Sequence, residues 1–153
     1  MPPKTDQAFS MWVLLQQARD AVYNDRDKEL SEYGVSSREA AILRAVTSMG
    51  KTATPAQLAR WVYRKPHTIS GILKRMQKKD LINLTHDPHI RNIIRISLTE
   101  KGKSAYKASL KRKSLHHIFK SIEERCDQLE SCLTDIRDRA LKETGDSIHR
   151  PFP

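Results

Sequence analysis

Residues 54–102 carry the pattern that most restricts what this chain can fold into. The segment TPAQLARWV opens with a hydroxyl residue, a proline and a glutamine, an order typical of helix N-termini. A polar turn, YRK, leads to a second helical segment, PHTISGILKRMQKK, and two β-rich segments follow as a hairpin, LINLTHD and IIRISLT. The order helix, turn, helix and hairpin predicts a winged helix-turn-helix. The expected fold class is therefore mainly α with a small β-hairpin wing.

Positive charge is concentrated in the same part of the chain. Between residues 60 and 113 there are fifteen Lys and Arg against three acidic residues, a local charge of +12. The rest of the chain sums to −2, and the formal net charge is +10. A basic surplus confined to about one third of a chain is typical of a surface that meets a polyanion, and it predicts double-stranded DNA as a partner. A solvated, lysine-rich face is the alternative.

Length and composition fit one compact domain with helical extensions. Of the 153 residues, 38% are apolar and 30% charged, a ratio that favours long amphipathic helices or apolar surface kept for a partner subunit. There is no apolar run of about 18 residues and no signal-peptide pattern, so we expect a cytoplasmic protein with no membrane partner. Cys126 and Cys132 lie on different sides of one helical pattern and are expected to be reduced thiols.

Helical patterns flank the winged segment on both sides. Residues 6–33 repeat apolar positions at helical spacing, and Gly34 ends that pattern. From residue 115 to 141 a heptad-like stripe predicts one helix about 40 Å long, too long to pack wholly on a small domain. We expect 6–33 and 104–143 to form a helical dimerisation region, with N- and C-terminal dimerisation helices around a DNA-binding domain at 36–102. Residues 145–153 are expected to be a loose tail.

The dimerisation hypothesis rests on the apolar positions of these flanking helices. The expected partner is a second copy of the chain, which makes the protein a homodimer. An ordinary core helix is the alternative. The residues expected at the interface are Trp12, Leu15, Leu115, Phe119, Ile122, Leu129, Leu133 and Ile136.

The second helix of the motif, the predicted recognition helix, separates an apolar seam from a basic face. The seam consists of Ile69, Ile72, Leu73 and Met76. The opposite side suits a major groove, where Lys and Arg donate to guanine or to phosphate. Gly71 lies at the centre of this side of the helix. Its missing side chain either lets the backbone approach base edges or phosphate closely, or makes no difference on the surface. The predicted DNA-binding residues are Lys65, His67, Thr68, Ser70, Gly71, Lys74, Arg75 and Lys78.

The hairpin loop predicts a second contact with DNA. Its sequence, HDPHIRN, contains two histidines and an arginine, and a further arginine follows on the return strand. An arginine at a hairpin tip can enter a narrow minor groove. A solvent-facing tip with incidental charge is the alternative. The predicted wing residues are His89, Arg91 and Arg95.

These segments resemble the multiple-antibiotic-resistance-regulator (MarR) family of winged-helix transcription factors. The resemblance covers nearly the whole chain and rests on TPAQLA, ISGILKRMQKKDLI and ISLTEKGKSAY, with LTEKG after the wing as the most specific piece. It implies a homodimer whose interlocked terminal helices set two winged domains on adjacent major grooves of a pseudo-palindrome. Many members are repressors released by small lipophilic ligands, by oxidation or by metals. The implied function is that of a sequence-specific transcriptional repressor.

The sequence departs from the family pattern in two features, the wing pair and the glycine after the recognition helix. The Asp-x-Arg pair of the family wing falls on Ile90 and Asn92 here, and Arg91 is the adjacent substitute. The glycine that usually follows the recognition helix is Asp80, which tolerates a left-handed backbone, so the turn is expected to survive.

The resemblance also implies an effector pocket between the dimerisation helices and the winged domain. Its candidate lining residues are Trp12, Tyr23, Tyr33 and Tyr106, although such aromatics also serve as core. No P-loop, dinucleotide-binding or nucleophile-elbow motif occurs, and no residue pair offers a nucleophile with a base. We therefore expect no enzyme, no catalytic residue, no cofactor and no metal site. Sequence-tolerant architectural DNA binding and a protein-interaction adaptor are the alternative functions.

Overall fold

The computed structural model describes residues 4–145, with side chains from residue 6 onward. In this range the helices are α1 (Lys4–Ser31), α2 (Ser37–Met49), α3 (Pro55–Trp61), α4 (Pro66–Lys78), α5 (Glu100–Ser109), α6 (Lys113–Lys120) and α7 (Cys126–Thr144). The strands are β1 (Ile82–His86) and β2 (Ile94–Leu98), and short 3₁₀ turns cover Gly50–Thr52 and Glu123–Arg125. The predicted class, mainly helical with a hairpin wing, is confirmed.

Two further expectations concern the chain ends and membranes. Gly145 caps α7, and the rest of the predicted loose tail lies outside the described residues. Among residues 4–145, no helix is both long enough and apolar enough to cross a membrane.

The winged domain, from α2 to the start of α5, is built around one buried core. α4 presents its predicted apolar seam to this core, and Ile69 and Met76 are fully buried. β1 and β2 pair antiparallel with Leu84 opposite Ile96, and Ile82 is buried on the same face of the hairpin. Fully burying one such side chain stabilises a fold by about 1.5–3 kcal/mol. The seam therefore determines which face of α4 is left for solvent.

Local capping signals set the boundaries of the helices in this domain. Ser36 and Glu39 form a capping box at the start of α2: Ser36 Oγ accepts the Glu39 amide at 3.2 Å, and Glu39 Oε2 accepts the Ser36 amide at 3.0 Å. Thr54 and Gln57 make the same arrangement before α3. Because α3 has only seven residues and a good cap contributes about 1 kcal/mol, this short helix depends on its cap.

A close approach joins the end of α4 to the start of α5. Asp80 takes a left-handed φ of 58°, as predicted, and the Leu81 amide donates to the Met76 carbonyl at 3.0 Å, which closes the helix end. A Cβ placed on Gly102 would lie 2.0 Å from the Leu81 carbonyl oxygen, so this position requires glycine. The glycine of the LTEKG segment thus lets α5 pack against the backbone that leaves α4.

The prediction of a single helix over residues 115–141 is wrong. The chain forms α6, a 3₁₀ turn and α7 instead. At the junction the Ser121 hydroxyl donates to the Ile118 carbonyl at 2.8 Å, and the Ile122 amide donates to the Phe119 carbonyl at 3.1 Å, three residues back. At Ser121 and Ile122, these hydrogen bonds to carbonyls three residues back replace the bonds to carbonyls four residues back that an α-helix requires. The apolar stripe is divided between two helices, and α7 spans about 28 Å.

Candidate nucleic-acid interface

The turn between α3 and α4 determines how α4 leaves the domain. Tyr63 adopts a φ of 53°, a left-handed conformation that is uncommon for a bulky side chain. The Arg64 amide donates to the Ala59 carbonyl at 2.9 Å and closes the turn. Pro66 follows at the first position of α4, where its missing amide leaves no hydrogen bond unmade. Lys65 and the first residues of α4 are left exposed.

The outward face of α4 is exposed, basic and without carboxylates. Of the predicted residues, those that are exposed are Lys65, His67, Ser70, Lys74, Arg75 and Lys78, while Thr68 and Gly71 are half-buried. A Cβ on Gly71 would meet only the Arg75 side chain, 3.8 Å from Nη1, which is an ordinary contact. The fold itself therefore does not require glycine at this position, and the missing side chain matters only to a molecule that approaches from outside.

The wing is organised by an aspartate that the sequence analysis did not single out. Asp87 Oδ1 accepts the amides of His89 and Ile90, both at 2.8 Å, and Oδ2 accepts Arg95 Nε at 2.7 Å. These hydrogen bonds, with that of the His89 amide the largest, lower the pKa of Asp87 to about 2. The dipeptide Asp87-Pro88 was the available signal, because Asp followed by Pro is common at the start of a turn.

Arg95 ties the wing to the body of the domain. Its Nη1 donates to the Thr52 carbonyl at 3.0 Å, and the next amide along the strand, that of Ile96, donates to the Ala53 carbonyl at 3.0 Å. The Arg95 side chain is 26% exposed. Of the three predicted wing residues, it is thus the one that holds the hairpin in place.

The other predicted wing residues lie at the exposed tip. His89 and Arg91 are exposed, and Arg91 has no side-chain partner within residues 4–145. Ile90 and Asn92, where the family pattern has its Asp-x-Arg pair, are exposed as well. The aspartate–arginine pair of this wing is formed instead by residues eight apart, at the base of the loop. Arg91 is therefore free to reach outward.

An ion pair fixes the C-terminal end of α4 to α2. Lys79 Nζ lies 2.9 Å from Glu39 Oε2 and 3.3 Å from the Gly34 carbonyl oxygen. The Glu39 side chain is 6% exposed, so its charge needs this partner. Lys101 Nζ in turn donates to the Lys79 carbonyl at 2.9 Å. Two lysines of the basic window thus position α4 within the domain.

A cavity of about 230 Å³ lies between α1, α2 and α5, in the region where the family resemblance implies an effector pocket. Tyr23 and Tyr106 line it, whereas Trp12 and Tyr33 do not. Trp12 lies on the exposed first half of α1. Tyr33 packs against the core, with Lys111 Nζ 5.9 Å from its ring centroid.

Two charged residues of α1 hold the corner between α5 and α6. Arg26 Nη1 donates to the Lys111 carbonyl at 2.7 Å, and Nη2 donates to the Ser109 carbonyl. Glu29 accepts from the amide and the hydroxyl of Ser114 at the start of α6. Burial raises the pKa of Glu29, but hydrogen bonds from Ser114 and Arg26 lower it more, so it lies below its ordinary value. Arg26 lies at the carbonyl end of α5, and Glu29 lies at the amide end of α6. Each charge is opposite in sign to the end of the helix dipole that it contacts, so both contacts are favourable.

Apolar side chains of the flanking helices stay exposed in the single chain. Five predicted interface residues are between 40% and 56% exposed: Trp12, Leu15, Phe119, Leu133 and Ile136. Three others are half-buried: Leu115, Ile122 and Leu129. Apolar surface of this kind, concentrated on α1, α6 and α7, is typical of an interaction site.

Comparison with known proteins agrees with this geometry. Residues 35–102 match a model of the winged helix DNA-binding domain. The organohalide-sensing transcriptional regulator RdhR, in its ligand-free form, is 27% identical, with 100% of this chain and 95% of that chain covered and a TM-score of 0.87. Its form bound to 2,4-dichlorophenol is 26% identical, with the same coverage and a TM-score of 0.83.

A more distant structure shares the fold alone. A mutant of MarR from E. coli, complexed with operator DNA, is 13% identical, with 86% of this chain and 96% of that chain covered and a TM-score of 0.78. No curated protein matches the chain by sequence.

Together the fold and the exposed basic helix define a winged-helix DNA-binding protein. The predicted resemblance to the MarR family is confirmed: residues 35–102 form a winged helix DNA-binding domain, and the chain is similar to DNA-binding transcriptional regulators of that family. Regulators of this class are not enzymes, so that expectation is confirmed too. Within the described part of the chain, no group of three or more His, Cys, Asp or Glu residues is placed to hold a metal ion.

Proposed function

We propose that this chain is a homodimeric transcriptional repressor that binds a pseudo-palindromic operator in double-stranded DNA. The observation that carries the proposal is the arrangement of α4. Its apolar seam is buried, and its opposite face is cationic and without carboxylates. The wing lies beside it, and the Arg91 side chain of the wing has no partner among residues 4–145. Lys74 and Arg75 contact bases or phosphates in the major groove, and Arg91 reaches the minor groove.

The experiment is a footprint on the DNA upstream of the protein's own gene, at two salt concentrations. A protein that contacts several phosphates loses affinity steeply with salt, with a slope of about −0.9 per contact in a double-logarithmic plot. Arg75→Ala is expected to weaken the footprint, whereas Lys142→Ala, which removes an exposed charge from α7, is the matched control. If Arg75→Ala protects the operator as well as the wild type, α4 is not the recognition helix.

Sequence-specific binding is separated from architectural binding by competition. We expect the operator to be bound far more tightly than random duplex, by about 10³-fold or more at physiological salt. A preference of less than about tenfold for any site supports the architectural alternative instead. Raised expression of a reporter on deletion of the gene tests repression itself.

The homodimer is supported by the apolar residues of α1, α6 and α7 that one chain leaves uncovered. Paired subunits present two α4 helices to half-sites about one helical turn apart. Sedimentation of the purified protein at micromolar and nanomolar concentrations tests this, and a monomer at both concentrations contradicts it.

The 230 Å³ cavity is the proposed effector site. Arg26, Arg44 and Arg112 line it together with Tyr23 and Tyr106, a set suited to a small aromatic compound with an acidic group. The probe is 2,4-dichlorophenol, the compound bound to a similar regulator. We expect it to release the operator and to raise Tm, and Tyr106→Ala to reduce both effects. No release by this compound, or by a panel of phenols and aromatic acids, contradicts an effector at this site.

A further inference from the structure

A second cavity, of about 100 Å³, lies in the winged domain between α2, α3 and α4. Tyr23, Ala41 and Arg44 line both this cavity and the 230 Å³ cavity, so the two spaces are neighbours. Trp61 of α3 and Ile69 of α4 line only the smaller one. The smaller cavity is therefore a separate space within the DNA-binding domain.

The inner wall of this cavity is apolar. Ile42, Ile69 and Ile72 are each 4% exposed or less, and Trp61 is half-buried beside them. An apolar and partly aromatic wall is typical of pockets that hold a hydrocarbon or aromatic group. A volume of about 100 Å³ leaves room for roughly one six-membered ring. The interior thus favours a ligand with a single ring.

Three arginines line the same cavity, and no carboxylate of the described residues does. Arg38 and Arg64 are exposed, and neither has a hydrogen bond or an ion pair within residues 4–145. Arg44 is half-buried. Guanidinium groups bind carboxylates through two parallel hydrogen bonds, and their positive charge disfavours a cationic ligand. The arginines therefore favour a ring that carries an acidic group.

We propose that this cavity binds a small aromatic carboxylate of the size of benzoate, and that the bound molecule weakens the binding of DNA. The ring packs against Trp61 and the isoleucines, and the carboxylate pairs with Arg38 and Arg64. The binding site does not depend on the proposed function, whereas its effect on DNA rests on it.

Two features of the site connect it to α4. Ile69 and Ile72 belong to the apolar seam that fixes α4 to the domain, so a ring seated against them changes the packing of this helix. A carboxylate paired with Arg38 and Arg64 also removes positive charge beside the start of α4, where a polyanion is attracted. The first feature lets the ligand reach α4, and the second sets the direction, toward weaker binding of DNA.

Binding is measured in the full-length protein by titration with sodium benzoate, against sodium chloride at the same concentration. The chain has two tryptophans, and loss of one indole NMR signal in Trp61→Phe identifies the signal of Trp61. We expect benzoate at millimolar concentrations to shift this signal. Benzamide has the same ring without the charge, and it is expected to bind about tenfold more weakly because it lacks the charge-assisted hydrogen bonds.

Variants of exposed cations locate the carboxylate. Arg38→Gln/Arg64→Gln is expected to weaken benzoate binding about tenfold. The matched control, Lys51→Gln/Arg60→Gln, removes the same charge from exposed positions that do not line the cavity, and it is expected to bind benzoate like the wild type. Tyr106→Ala alters only the 230 Å³ cavity and is expected to leave the response of Trp61 in place.

Two results of these titrations overturn the inference. One is a Trp61 signal that benzoate does not shift more than sodium chloride does. The other is a shift that Tyr106→Ala abolishes and Arg38→Gln/Arg64→Gln leaves unchanged, which places benzoate in the larger cavity.

The effect on DNA is measured on the same proteins, each with and without benzoate. We expect benzoate to lower the operator affinity of the wild type by about tenfold and that of Arg38→Gln/Arg64→Gln by less than about twofold. Benzoate that shifts Trp61 without lowering the operator affinity overturns the connection to α4. A wild type that binds no duplex at low salt overturns the proposed function instead, and the Trp61 titration still decides whether the site exists.

Discussion

The winged domain and the flanking helices differ in how they treat apolar side chains. In the winged domain Leu43, Leu58 and Ile69 are buried completely. On the flanking helices Phe9, Leu14 and others remain half or more exposed. The first region completes its own core, while the second presents apolar surface that one chain does not cover. Amphipathic spacing therefore identifies a buried face without telling which chain buries it.

The two regions meet at a polar corner. Arg26 and Glu29 of α1 bind the end of α5 and the start of α6, residues more than eighty positions away along the chain. The same corner borders the cavity that we propose as the effector site. Hydrogen bonds of charged groups thus tie α1 to the corner between α5 and α6, next to the winged domain.

The largest expected effect is on the winged domain itself. Gly102→Ala places a Cβ 2.0 Å from the Leu81 carbonyl oxygen, a backbone atom that cannot give way cheaply. We expect a loss of about 3 kcal/mol or more in the free energy of unfolding, measured by urea denaturation. Gly71→Ala is the matched control, because its Cβ meets only a flexible side chain at 3.8 Å. It is expected to stabilise the helix by about 0.5–1 kcal/mol. Equal effects of the two changes contradict the close approach.

The next effect concerns the corner between the regions. Arg26→Ala leaves the Ser109 and Lys111 carbonyls without their buried donor and Glu29 without its cation. We expect it to lower the free energy of unfolding by about 2–3 kcal/mol. Arg19→Ala, which breaks an exposed pair on the same helix, is expected to change it by less than about 0.5 kcal/mol. Similar losses in both variants mean that Arg26 does not hold the corner.

The proposed dimer interface on the flanking helices is tested by placing a charge among the exposed apolar side chains of α7. Leu133→Glu is expected to raise the dissociation constant of the proposed dimer by about 30-fold, or about 2 kcal/mol, because a carboxylate enters an apolar interface. Gln128→Glu adds the same charge at another exposed position of α7 and serves as the control. Sedimentation measures the dissociation constant, and amide exchange of the α4 seam reports whether the winged domain stays folded. An unchanged dimer after Leu133→Glu excludes this stripe from the interface.

The smallest effect is confined to the wing. The pKa of Asp87 is about 2 in the folded chain, below the ordinary value of 3.8. The carboxylate therefore stabilises the wing fully when the pH is above about 4, and this contribution is lost as the pH falls to about 2. We expect the protection factors of the His89 and Ile90 amides, which are corrected for the intrinsic exchange rate at each pH, to fall across this window. Asp87→Asn is expected to remove the pH dependence while the unfolding midpoint at neutral pH hardly changes. Protection factors at these amides that stay constant between about pH 4 and about pH 2 in the wild type contradict the anchor.

Much of the winged domain could be predicted because its signals are local. Ser36 with Glu39, and Thr54 with Gln57, lie three residues apart, the spacing that one turn of helix imposes. The outward face of α4 followed from the helical period in the same way. The spacing of apolar residues did not predict the break at Ser121, because that spacing continues through the break. The helix ends there because the Ser121 hydroxyl and the following turn form hydrogen bonds that interrupt the α-helical pattern.

The missed parts of the candidate interface depend on distant residues. Asp87 and Arg95 pair across the wing, and Arg95 then reaches Thr52, 43 positions earlier. A basic groove beside the start of α4 is lined by Arg38, which belongs to α2, and by Arg64, which belongs to the turn between α3 and α4. The spacing of residues within a single segment does not predict contacts between residues that are distant in the sequence.

By itself the amino-acid sequence determined the order of helices and strands, the caps that begin them and the placement of a strong positive charge in one third of the chain. These features follow from hydrogen bonds and side-chain periods within a few residues. The tertiary structure alone decided that Gly102 touches the backbone after α4, that Arg26 closes the corner to α6 and that Arg95 of the wing reaches the Thr52 carbonyl. Those contacts form only when burial of the common core brings remote segments together.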